Sequence, residues 1–202
     1  MHRGMISGIL GALAAAFIFF CQKGPDQEQL ISASRKVTDS YMGELKMALS
    51  SAISQSGVVG AVDVCSELAP EVARKYSSAD GWEVRRVSRK FRNAHNAPDS
   101  FESQGLEILS AKAQGDDEYY TWDIQDGQRA FRYLRTIRMA VLCVNCHGDA
   151  AAFSPELRQV LSTKYPNDNA TGFEVGDFRG AFSIKINWPQ GKAGVDSINH
   201  SL

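Results

Sequence analysis

Cys143, Cys146 and His147 stand together in C-V-N-C-H-G, and this run constrains the chain more than any other feature. Two thiols about one helical turn apart can add to the two vinyl groups of a haem, while the following imidazole turns onto the iron. The run therefore assigns Cys143 and Cys146 as covalent tethers of one haem c and His147 as the proximal iron ligand. Gly148 lets the chain leave a short turn beneath a porphyrin face. A structural zinc site needs four thiolate or imidazole ligands, usually in paired clusters, and outside 143–147 only Cys65, His95 and His200 remain in the chain's interior and tail. A thioredoxin-like dithiol should follow a strand in a βαβ rhythm, which is missing here.

The N-terminal segment agrees with a haem placed outside the cytoplasm. His2 and Arg3 precede an uncharged run from Met5 to Phe20, which ends at Cys21 before a polar stretch. Such a run is shorter than the roughly 20 residues of a spanning helix, so residues 1–21 read as an export signal, with a short anchor as the rival. Cys21 suggests lipoprotein processing, although Phe19 and Phe20 replace the small residues that processing prefers. Either route tethers the domain on the periplasmic side of a bacterial membrane.

About 180 residues then remain for one domain, and 44% hydrophobic with 22% charged residues suits an ordinary globular core. A net charge of −1 carries no nucleic-acid footprint. Apolar positions Leu30, Ala33, Val37, Tyr41, Leu45, Ala48 and Ala52 recur at three- and four-residue steps, predicting a long helix within residues 22–56. Gly57 and Gly60 are expected to break it, with a turn or short helix bearing Cys65 and a further helix opened near Pro70. Trp82 to Phe91 predicts a strand, Arg92 to Pro98 a loop, and Pro98 to Ala111 a helix. Tyr119–Ile124 and Ala130–Ile137 predict a hairpin closed at Asp126-Gly127. Ser154-Pro155 opens a helix to Lys164, and Arg179–Ile186 is a last strand. The class is α+β, with residues 57–190 as the haem domain and 191–202 as a loose tail.

Cys65 is open to two readings. A lone thiol in an oxidising compartment is either buried and inert or recruited by a metal, and a haem iron leaves a sixth position to fill. His95 is the runner-up for that position, followed by Met42, Met47, Met139 and His200.

Several blocks in one order carry a family resemblance: A-V-D-V-C-S-E-L-A-P (61–70), R-R-V-S-R-K-F-R-N-A-H-N-A-P (85–98) with Glu102, R-Y-L-R-T-I (132–137), C-V-N-C-H-G (143–148) and G-D-F-R-G-A-F-S-I (176–184). From about residue 28 to 188 the chain resembles the PAS-like, single-haem c-type cytochromes first characterised from a cyanobacterium. It departs from their pattern at Ala94 and Thr136. The resemblance implies a PAS-like antiparallel sheet with flanking helices and Cys65 as the iron ligand opposite His147. It also draws Arg92 and Asn93 into the haem surroundings. A thiolate ligand favours ferric iron and becomes labile on reduction. The resulting expectation is a redox or small-gas (CO or NO) sensing module that signals to a partner protein. The alternative is an electron-transfer cytochrome with a redox partner. A catalytic haem ranks below both, because such sites need distal acid–base groups and only His95 offers itself.

Overall fold

The computed structural model describes residues 26–113, 115, 117–125 and 127–201, without the side chains of Val64, Cys65 and Gln125. The export or anchor segment and the lipidation candidate Cys21 lie outside the described residues.

Helix α1 (Gln27–Tyr76) opens with Asp26 accepting from the Glu28 amide. Its predicted stripe is buried at Leu30, Ala33, Val37, Tyr41 and Ala52 and half-buried at Leu45 and Ala48, and Ile31, outside the stripe, is buried as well. The expected break at Gly57 is a change of direction within the helix. Gly57 takes φ +69 and ψ −179, a backbone that side chains with a Cβ resist, and helix continues beyond it. Beyond Gly57 a second bend follows between Asp63 and Ser66, where the segments Gln27–Asp63 and Ser66–Tyr76 meet at 83°. Gly60, Cys65 and Pro70 are thus helical, and the boundary expected at 56/57 falls inside one element. Pro70 sits near the start of the second segment, where a missing N–H costs least. That segment crosses the first. Tyr41 donates to the Ala69 carbonyl (3.3 Å) and stacks on Tyr76, and Glu44 accepts from Lys75 (2.8 Å).

Four antiparallel strands, β1 (Trp82–Val87), β2 (Glu118–Gln125), β3 (Gln128–Arg138) and β4 (Phe178–Trp188), form one sheet in the order β1-β4-β3-β2. Gln125 pairs with Gln128 across a two-residue turn closed by Gly127 at φ +77, as the hairpin signal predicts. Alternation along each strand separates two faces. Trp82, Val84, Phe131, Tyr133, Phe182, Ile184 and Ile186 pack against α1. On the opposite face Val87, Leu134 and Ala181 meet Leu106 and Leu109 of helix α2 (Ser100–Ala111). Asp99 and Glu102 form the capping box of α2, and the same two carboxylates receive the buried Arg132. A short helix α3 (Val144–His147) and helix α4 (Pro155–Lys164), capped by Ser154, lie between β3 and β4. The architecture is α+β with a PAS-like sheet and a long N-terminal helix.

The tail expected to be loose at 191–202 is instead helix α5 (Lys192–His200). Val195 is buried in the core cluster and Ile198 packs on it. Trp82 Nε1 donates to the Gly191 carbonyl (3.0 Å), and Lys36 reaches the carbonyls of Ile198 and Asn199. Its apolar positions, three apart, form a one-sided stripe too short to stand out from a terminus in the sequence. Among the described residues no single helix is long and apolar enough to cross a membrane.

Candidate functional site

Residues 143–148 form one tight turn. The Cys143 amide donates to Ala140 (2.9 Å), and the Cys143 carbonyl accepts from Cys146 (3.2 Å) and His147 (3.1 Å). Cys143 and Cys146 are half-buried thiols outside any disulfide. Gly148 has an ordinary φ of −73, so its importance is close approach rather than conformational freedom. A Cβ there would stand 2.6 Å from the Val144 carbonyl oxygen.

His147 is held from behind. Its Nδ1 lies 2.7 Å from the Ala170 carbonyl, and a carbonyl can only accept, so the proton is on Nδ1 and the Nε2 lone pair is left for a ligand. Burial, then the charges of Arg92 and Arg179, push the imidazole well below its ordinary pKa. A neutral imidazole is the form that binds metal.

The loop carrying Ala170 is fastened to the turn by its backbone. Gly172 donates to Gly148 (2.8 Å) and Phe173 to His147 (3.0 Å). A largely buried ion pair completes the fastening: Arg92 Nε donates to Asp168 (2.9 Å), while its terminal nitrogen donates to the Cys146 carbonyl (2.6 Å). The other Asp168 oxygen accepts from the Ala170 amide (2.8 Å). Arg92 and Asp168 are only 12% and 13% exposed. The pair therefore spans both the Cys–Cys–His turn and the carbonyl that orients its histidine.

Across from the turn, Cys146 joins an apolar cluster with Val58, Val59 and Val62 of α1 and Phe153, Leu157 and Leu161. Lys164 ties this side of α1 down through Asp63 (2.6 Å) and Ser66 (3.4 Å). The helix backbone that bears Cys65 is therefore beside the turn, although the Cys65 side chain lies outside the described residues.

The remaining candidates are dispersed. Asn93 caps a 3-10 turn at Ala94–Asn96, its Oδ1 meeting both the amide and ring Nδ1 of His95, and His95 is exposed. Asn93 is thus turn chemistry. Met139 is buried, Met42 packs on the main core and Met47 is exposed. His200 sits on α5 with Nδ1 on the Asp196 carbonyl. Among the described residues no three His, Cys, Asp or Glu side chains gather into a site that could hold a metal ion unaided. A haem asks less, since its porphyrin nitrogens fill four positions and the protein supplies one or two axial donors. The two thiols outside any disulfide and the open Nε2 of His147 match that need.

Asp168, Ala170, Arg86 and Arg179 were not singled out by motif reasoning. Arg86 and Arg179 fall inside the blocks at 85–98 and 176–184, but nothing in those blocks ranks one arginine over another. Asp168 and Ala170 lie in none of the blocks.

The chain matches the Tll0287-like family model over residues 25–187. It belongs to that family. The structure of the cyanobacterial heme-protein Tll0287 is similar, with 25% sequence identity and a TM-score of 0.62 over 82% of this chain and 99% of that one. The comparison with curated proteins returned no match. The resemblance carried by the sequence blocks therefore stands, and the matched span includes the helix bearing Cys65, the Cys–Cys–His turn and the loop behind His147.

Proposed function

We propose that this chain is a c-type haem protein acting as a redox or small-gas sensing module on the periplasmic side of a bacterial membrane, to which its N-terminal segment tethers it. The observation that carries the haem reading is the turn at 143–147: two thiols one turn apart and outside any disulfide, a neutral imidazole with its proton committed to Ala170, and an arginine–aspartate pair behind them. The heme-protein Tll0287, of the same fold, supports it. Cys143 and Cys146 would hold the haem covalently, and His147 and Cys65 would supply the iron ligands from the protein.

Bound haem supplies a one-electron couple and, when its sixth ligand leaves, a seat for CO or NO. The residues of the chain set the conditions for that. His147 is kept neutral by burial and oriented by Ala170, and the Val58–Val62 side of α1 gives Cys146 an apolar neighbourhood. A Cys65 thiolate would stabilise ferric iron and hold it less well once reduced. Sensing is favoured over electron transfer because one helix joins the site to the core. The part of α1 packed near Cys146 continues into the stripe from Leu30 to Tyr41 packed on the sheet. A ligand change beside Cys65 thereby has a mechanical route to the N-terminus and a partner there.

Optical spectra of the ferric and ferrous protein, with and without CO, test this. The expected result is a low-spin ferric spectrum with thiolate charge-transfer bands, lost in Cys65→Ala, and CO binding on reduction. A six-coordinate spectrum in both oxidation states that ignores CO would favour the electron carrier and dismiss Cys65.

A further inference from the structure

The turn at 143–147 sits in an excess of positive charge that its own carboxylates do not balance. Three guanidiniums, Arg86, Arg92 and Arg179, are close enough to act on His147. Arg92 is answered by Asp168. Among the described residues Arg86 and Arg179 have no carboxylate within ion-pair distance, whereas the half-buried or buried Arg85, Arg132, Arg135 and Arg138 each have one. Arg179 is held by neutral partners: one terminal nitrogen donates to Ser88 Oγ (2.8 Å) and the Lys90 carbonyl (3.0 Å), and the guanidinium lies over the Phe173 ring. Arg86 lies near the Tyr41 hydroxyl, whose pKa its charge lowers against the larger effect of burial, and Tyr41 is itself fixed to the Ala69 carbonyl. Neither arginine therefore has a carboxylate of its own: Asp168, paired with Arg92, acts on Arg179 only at longer range. Burying a cation in this way is costly without an anion. Burial, helped by Arg86 and Arg92, lowers Arg179 to about 10.

We infer that Arg86 and Arg179 are the receptor for the two propionate carboxylates of the haem. The inference rests on the haem reading above and deepens it. Haem brings two carboxylates, and the site presents two unanswered guanidiniums, the groups best shaped to take carboxylates in a forked pair. Arg92, although drawn in with the haem surroundings by resemblance, is spent on Asp168 and Cys146 and has a positioning role.

The test is the midpoint potential of the full haem-loaded chain, titrated from pH 5 to 8, in the parent, Arg86→Gln and Arg179→Gln. A guanidinium against a propionate keeps it ionised throughout this range, and its removal raises the carboxyl into the range. Reduction of the iron then draws a proton. The charged and titratable groups around the pair are Lys90, Arg92, Asp168 and Tyr41, and they are present in every variant; in the haem-loaded chain Cys143 is a thioether and His147 an iron ligand, so neither titrates. The expected result is covalent haem at parental stoichiometry, a lower potential in each glutamine variant and a steeper fall of potential with pH. Lys variants at the same positions keep the charge without the fork and should fall between; they also serve if a glutamine variant does not fold. Potentials and pH slopes equal to the parent's overturn the inference while leaving the haem in place. A parent without covalent haem overturns the haem reading and this inference together.

Discussion

Replacing Cys143 and Cys146 together by alanine is expected to abolish covalent haem. On a denaturing gel stained for haem peroxidase activity, the parent band stains and the double variant does not. Each thioether is an independent covalent link, so either single variant should keep a weaker, one-armed attachment. The thiols can be lost without disturbing the turn, because its hydrogen bonds run through the backbone between 140 and 148 and the ring of His147 is held by Ala170. The double variant should therefore still fold around its sheet. Staining that persists after both substitutions would place the attachment elsewhere and dismiss the role of these two residues.

Asp168→Ala is expected to destabilise the protein while leaving the haem ligands untouched. Removing one partner of a buried pair strands the other, which costs about 3–5 kcal/mol. Here the stranded group is Arg92, only 12% exposed, and the lost carboxylate also releases the Ala170 amide. Because the Ala170 carbonyl orients His147, the variant should also broaden the ferric haem spectrum, which a surface charge would not do. Chemical denaturation of the parent and variant measures the first effect. Asp168→Asn can keep the bond to Ala170 without the charge and should recover part of it. A loss below about 0.5 kcal/mol, the range of ordinary surface substitutions, would show that the pair is not a clasp.

Local signals accounted for most elements that surround the site. The stripe from Leu30 to Tyr41, the turn at Gly127, the Ser154-Pro155 helix start and the strand at 178–188 each carry a period or cap visible within a few residues. What escaped depends on contacts between distant residues. Helix α1 passes Gly57 because its second segment crosses Tyr41 and Glu44, and neither glycine nor proline chemistry announces that. Helix α5 exists because Trp82 and the core accept Val195. The same holds at the site. The Cys–Cys–His turn is legible from three residues, whereas its support brings together Arg92, Cys146, Asp168 and Ala170, separated by up to 78 positions. Arg86 and Arg179 stand out only once their lack of carboxylates is seen in three dimensions.

Covalent attachment of one haem through residues 143–147 is read from the intact mass of the purified chain after denaturation. The expected mass exceeds that of the polypeptide by one haem, with the added mass on the proteolytic peptide that contains Cys143, Cys146 and His147. A polypeptide of unmodified mass, or haem that extracts into acidified organic solvent, would contradict it.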